Sequence, residues 1–200
     1  MQQPFPRSAP RPAPQPRTLV LLAALLVLLV GAVLLLAAPP AAGVPAAGSE
    51  RALSEALARN FARITGNVVA AAEEMPEESF AFKPTPEVRS FGEIVAHVAD
   101  AHRRLCVLVA TGTTAADPGW EASTKTKADL VAVLKLSTTE CEKAFAGLDD
   151  AALLRPVPFG SREVPAAAVF SFLTAHTNEH YGNLVTYLRI RGLVPPSSRK

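Results

Sequence analysis

From about residue 50 onward, hydrophobic positions recur at three- and four-residue intervals, the period of a helix that buries one face. Leu53, Leu57, Phe61, Ile64 and Val68 form the first stripe, which predicts a helix from near Ser49 to Met75, ended by Pro76. The second helix opens at Ser90-Phe91-Gly92-Glu93, where hydroxyl and carboxylate can satisfy the free amides of a first turn. Its stripe is Ile94, Val98, Ala101, Leu105 and Leu108, and Gly112 closes it. A third begins near Thr126, with Asp129 three residues on, and carries Leu130, Leu134, Cys141, Phe145 and Leu148. The fourth has Pro165 in its first turn, where the missing amide is harmless. It continues through Val169, Phe172, Leu173, Leu184 and Leu188, then stops at Gly192 before Pro195-Pro196.

No segment alternates polar and apolar residues between turn signals, so the expectation is an all-α fold without a sheet. Four amphipathic helices over residues 49–200 suffice for a four-helix bundle with its own core. The connections at 113–125 and 149–162 exceed the ~2–8 residues usual between antiparallel helices. The long return at 113–125 permits helices two and three to run parallel.

Upstream the pattern changes. Thr18 to Ala38 is 21 residues without a charge, long enough at ~1.5 Å per residue to cross a ~30 Å hydrocarbon layer. Residues 1–17 are basic and proline-rich, and 39–48 form an Ala/Pro/Gly linker. Arg7, Arg11 and Arg17 favour a cytoplasmic N-terminus, which exports the bundle to a periplasmic or extracellular side on a membrane anchor. The alternative is a signal peptide cleaved near Ala41-Ala42-Gly43 or Val44-Pro45-Ala46, which secretes the same domain. The apolar run exceeds the usual ~7–15-residue signal core, which favours the anchor.

Charge narrows the partners. All 18 acidic residues lie at or after Glu50, so the chain's formal +2 becomes −1 for the domain. A near-neutral domain has no clustered basic footprint, which argues against nucleic acid as a partner. A small-molecule substrate of unknown identity and pairing into a homodimer remain open.

The chemistry-bearing residues are few. His176 and His180 lie four apart on a strong helical pattern, so both rings project from one face about 6 Å apart. That suits two ligands of one metal ion; a polar patch is the plain alternative. His97 sits in Ile94-Val95-Ala96-His97-Val98, where an unpaired ring would be costly to bury. It is either a third ligand or a hydrogen-bonded core histidine. His102, among Asp100, Arg103 and Arg104, reads as solvated. Glu179 is the one carboxylate in the motif, either a base or a solvent-facing residue, so no catalytic residue is assigned. His176-Thr177-Asn178-Glu179-His180 also matches an HxxEH peptidase pattern, but no acidic residue follows to complete that ligand set.

Two stretches carry a family resemblance. Phe80 to Phe91 leading into His97-Val98-Ala99-Asp100, and His176 to Asn183 followed by Tyr187-Leu188-Arg189 and Gly192 to Ser198, resemble the DinB-like (DinB/YfiT) superfamily over roughly residues 50–198. The resemblance implies an up-down-down-up four-helix bundle and a divalent metal, zinc or nickel, on His97, His176 and His180. It further implies a metal-dependent hydrolase or a thiol-dependent transferase or isomerase; a non-catalytic bundle that holds a metal or small ligand is the alternative. One departure is Gly182-Asn183, where the family often has Gly-Gln. Three neutral nitrogens with open positions describe a reactive metal rather than a closed structural one.

Cys106 lies 16 residues past Ser90 and Cys141 15 past Thr126. In parallel, adjacent helices they would stand at nearly one height, either disulfide-bonded or as two buried thiols.

Overall fold

The computed structural model describes residues 50–124 and 126–199. The predicted transmembrane or signal segment therefore lies outside the described residues. Among those, no helix is long and apolar enough to cross a membrane.

The chain forms α1 (Ala52–Glu74), α2 (Phe91–Thr111), the short α3 (Trp120–Ser123), α4 (Lys127–Ala146), the short α5 (Asp150–Leu154), a hairpin of β1 (Pro156–Phe159) and β2 (Arg162–Pro165), and α6 (Ala166–Ile190). The expected capping box is present: the Glu93 amide donates to Ser90 Oγ at 3.2 Å, and the Ser90 amide donates to the Glu93 carboxylate at 2.7 Å. Thr126 caps α4 through the Asp129 amide, and Gly112 ends α2 in the left-handed region at φ 78°. The N-terminus of α1 borrows its cap, since Asp150 accepts from the Leu53 and Ser54 amides at 3.1 and 2.8 Å.

Side-chain contacts fix the helix directions. Gly92 and Leu130, near the starts of α2 and α4, pack together, and Cys106 and Cys141, near their ends, form a disulfide with Cα atoms 5.2 Å apart. These two helices are parallel neighbours. Lys127, opening α4, donates to the Glu73 carbonyl at the end of α1, so α4 and α1 are antiparallel. Tyr187, late in α6, donates to the Arg89 carbonyl just before α2, so α6 and α2 are antiparallel. Phe61 meets Phe170 in the first halves of α1 and α6, and Arg191, just past α6, donates to Ser79, just past α1, so these two run parallel. The order is up-down-down-up, with α1 and α2 across the diagonal.

The core has two apolar halves. One gathers Met75, Phe91, Leu134, Leu184 and Leu188; the other gathers Phe61, Phe145, Leu153, Val157, Phe170 and Leu173. Between them every long helix contributes a buried polar side chain: Thr65, His102, Ser137 with Thr138, and Thr174 with Thr177. Thr65, Ser137, Thr174 and Thr177 each donate back to a carbonyl of their own helix. Thr177 Oγ1, its proton so used, accepts from His102 Nε2 at 3.1 Å.

His102 thus corrects an expectation. Its charged neighbours suggest solvent, yet it is fully buried, because it stands one turn after Val98 on the inward stripe. Two stripe members depart the other way: Leu53 and Phe172 are each 46% exposed. Pro165 stands just before α6 rather than inside its first turn.

The all-α expectation also needs correction, because β1 and β2 pair antiparallel with Val157 opposite Val164. Four-residue strands holding Pro156, Pro158 and Pro165 are too short and too proline-rich to show alternation. The legible signal was Gly160-Ser161, a two-residue hairpin loop with Gly160 at φ 63°. Val157 is fully buried and anchors the hairpin in the core.

This packing has two measurable consequences. The disulfide closes a loop with a sequence separation of 35, worth about 4 kcal/mol on a chain-entropy account. Reduction should lower the urea midpoint accordingly and raise the mass by two protons; two titratable thiols in unreduced, denatured protein would exclude the bridge. Burial drives His102 down to about 3 from 6.5, with the charge of His176 adding to it. The folded ring therefore stays neutral while the unfolded one protonates as pH falls through 6.5. Its stabilising effect is whole above 6.5 and lost toward pH 3, by at most about 1.4 kcal/mol per pH unit. The thermal midpoint of His102→Gln should decline less steeply between pH 6.5 and 5 than that of the native chain.

Candidate metal centre

The antiparallel packing of α2 against α6 brings His97 to the two rings that α6 presents one turn apart. His97 Nε2 stands 3.1 Å from His176 Nε2, and His180 Nε2 stands 3.2 Å from the same atom. All three potential ligand atoms lie within 4.8 Å of one another. A tetrahedral ion at ~2.0–2.1 Å from each nitrogen would hold them about 3.3 Å apart, so the triad fits such an ion. Burial, then the charges of His180 and His97, bring His176 down to about 4. Burial, then His97, also lowers His180. The two rings of α6 therefore favour the neutral form, which leaves each a lone pair for a metal.

The outward nitrogens are treated differently. His97 Nδ1 is 3.1 Å from Glu121 Oε2. A carboxylate only accepts, so Nδ1 carries the proton and Nε2 keeps its lone pair toward the other rings. His180 Nδ1 is 3.4 Å from the Asn183 amide, so the shorter arm in place of glutamine still reaches this ring. His176 Nδ1 is buried with no hydrogen-bond partner among the described residues, and the ring stacks on Phe172.

Glu121 was not legible in the sequence, since the 113–125 connection has no periodic face. Its position is set by Asp100, three residues after His97. The buried Asp100 carboxylate accepts from the Trp120 and Glu121 amides, both at 3.0 Å, and so anchors the first turn of α3. Arg89 Nε donates to the other Glu121 oxygen at 2.7 Å. Burial acts to raise the Glu121 pKa, but the hydrogen bonds and charges of Arg89 and His97 outweigh it and hold the carboxyl below its ordinary range. Glu179 is exposed and borders a cleft of about 420 Å³ together with Arg89, His180, Asn183 and Tyr187. A second cleft, of about 350 Å³, reaches His176 from the other side.

A family model described as the DinB superfamily matches residues 60–184. The chain belongs to the DinB superfamily. Solved structures share its fold. A DinB-like protein from Bacillus cereus is 19% identical, with a TM-score of 0.62 over 71% of this chain and 95% of its own. YfiT from Bacillus subtilis, described as a probable metal-dependent hydrolase with an unusual four-helix bundle topology, is 12% identical, with a TM-score of 0.56 over 74% and 92%. The mycothiol-dependent maleylpyruvate isomerase is 19% identical, with a TM-score of 0.55 over 66% of this chain and 60% of its own. Comparison with curated proteins finds no match.

Carboxylates that orient a metal-bound histidine typically contribute ~10–100-fold to affinity. Glu121→Ala and Asp100→Ala should each weaken zinc binding by about that factor in chelator competition, whereas Glu179→Gln should leave it unchanged. Equal affinities in all three would show that Glu121 serves only Arg89.

Proposed function

We propose that this chain is an exported, membrane-tethered metal-dependent hydrolase whose zinc or nickel ion is held by His97, His176 and His180. The convergence of three Nε2 atoms carries the reading, because three neutral donors on one side leave coordination positions open for water and substrate. Such an ion supplies a lowered pKa for bound water and polarises a carbonyl or phosphoryl oxygen. The chain's own residues do the positioning. Glu121 holds the proton on His97 Nδ1, and Asp100 and Arg89 hold Glu121. With its side-chain amide turned so that Oδ1 accepts from Nδ1–H, Asn183 steadies His180 for ligation through Nε2. With its carboxylate spent on Arg89 and His97, Glu121 is not available as a base, and no general base is assigned.

Export and tethering rest on the uncharged Thr18–Ala38 segment and on the disulfide, which belongs to an oxidising compartment. A thiol-dependent transferase is the second reading, supported by the likeness to the mycothiol-dependent isomerase. An oxidising compartment lacks the reduced low-molecular-weight thiol that such chemistry needs, so hydrolysis is preferred.

The test is metal content by mass spectrometry on the detergent-solubilised full chain, beside a His97→Ala, His176→Ala, His180→Ala triple variant. The expected result is about one zinc or nickel per native chain, consistent with a single tetrahedral site, and none in the variant. Ester or amide hydrolysis should disappear on chelation and return with metal. Native protein that neither contains nor takes up zinc or nickel would sink the proposal; a metal-loaded chain without hydrolysis would leave a binding bundle.

A further inference from the structure

The cleft of about 350 Å³ beside His176 has a lining of distinct character. Ala101, Leu105 and Leu108 of α2, Phe159 of the hairpin and Phe172 of α6 make it apolar, with Arg104 as its one cation. Its size falls at the small end of ordinary small-molecule sites, roughly 300–1,000 Å³. Phe172 is about half exposed and lies between two rings, with Phe159 at 5.2 Å and His176 at 5.9 Å. An aromatic wall therefore runs from the hairpin to the metal-binding triad.

Arg104 is unlike the other arginines near the site. Arg89 donates to Glu121 at 2.7 Å, and Arg103 donates to Glu140 at 2.8 Å. The nearest carboxylate to Arg104 is Asp117 at 3.8 Å, too far for a hydrogen bond, and that side chain is 57% exposed. Arg104 Nε is buried and has no hydrogen-bond partner among the described residues. Arg104 and His176 line the same cleft, so the guanidinium shares it with the triad. The fork makes no hydrogen bond among the described residues, and its side chain is 42% exposed at the edge of the apolar wall. Its donors are therefore open to a carboxylate whose apolar body fills the cleft. One arginine balances one negative charge, which favours a monoanion over a phosphate dianion.

We propose that this cleft binds the substrate, and that the substrate is a small carboxylate with an aromatic or branched apolar body, its acid on Arg104 and its reacting bond toward the histidine triad. The hydrolytic role of the site is taken from the preceding reading, but binding in the cleft needs only Arg104 and the apolar wall. The hairpin, absent from a plain four-helix bundle, is then a substrate-binding element.

The probes are 4-phenylbutyrate and its neutral analogue 4-phenylbutanamide. Ligand-observed NMR would titrate them into the full chain in detergent, with empty micelles as the blank and with zinc present or chelated. The expected result is that the carboxylate binds about tenfold or more tightly than the amide, as a charge-assisted pair gives. Arg104→Met should remove that preference and leave amide binding unchanged, with far-UV circular dichroism confirming the fold. Phe172→Ser should weaken both probes alike. Equal binding of the two probes, a preference that survives Arg104→Met, or no binding of either would overturn the proposal. A chain that takes up zinc but shows no Arg104-dependent preference would reject the cleft and keep the metal site. Arg104-dependent binding in a chain that takes up no metal would do the reverse.

Discussion

Two parallel neighbours, α2 and α4, impose the constraint on which the site depends. A chain that runs the length of one helix and then down the next in the same direction must return along the bundle. Thr111 to Lys127 makes that return, over a helix length of roughly 30 Å. The return passes the α2–α6 groove, and there it forms α3. The same segment that satisfies the topology therefore delivers Glu121 to His97. With α4 beside α2, α1 lies across the diagonal, and α6 becomes the antiparallel partner that sets His176 and His180 opposite His97. The topology and the site are one arrangement.

The helices were legible because their signals are local. The Ser90–Glu93 box and the caps Thr126 and Gly112 are each recognisable within a few residues, and each does in the structure what local chemistry requires. The histidine triad was legible for a related reason: a four-residue spacing on one helix plus one polar ring in an apolar stripe. What escaped was non-local. Glu121 acquires its role from Asp100, twenty-one residues earlier, through backbone amides that no side-chain pattern displays. His102 has charged neighbours in sequence, but its phase on the helix decides its burial: Val98 and Cys106, one turn to either side, are both buried.

The buried polar layer gives His102 a structural rather than a chemical task. An apolar bundle can slide one helix past another with little loss, whereas a histidine paired with Thr177 defines one height for α6 against α2. That height also brings His176 and His180 level with His97. The disulfide performs the same service between α2 and α4, directly below the layer, where Cys141 Sγ also meets the His102 carbonyl. Register is thus fixed on both flanks of α2, the helix that carries His97, His102 and Arg104.

Charge balance explains why such a site would keep its metal reactive. The charge of Glu179 reaches His180 from an exposed side chain. Two other acids beside the triad are already committed, Asp100 to two backbone amides and Glu121 to Arg89 and His97. Neither is placed to neutralise an ion on the Nε2 side. Three imidazoles acting as neutral ligands would leave a divalent ion its full charge, which would lower the pKa of bound water and favour an electron-rich substrate group. Glu121 would raise the basicity of His97 through Nδ1 without itself being a ligand, so an ion on the three rings would be held more firmly. Its pairing with Arg89 serves the same end, because the guanidinium cancels the charge of the carboxylate while leaving its hydrogen bond intact.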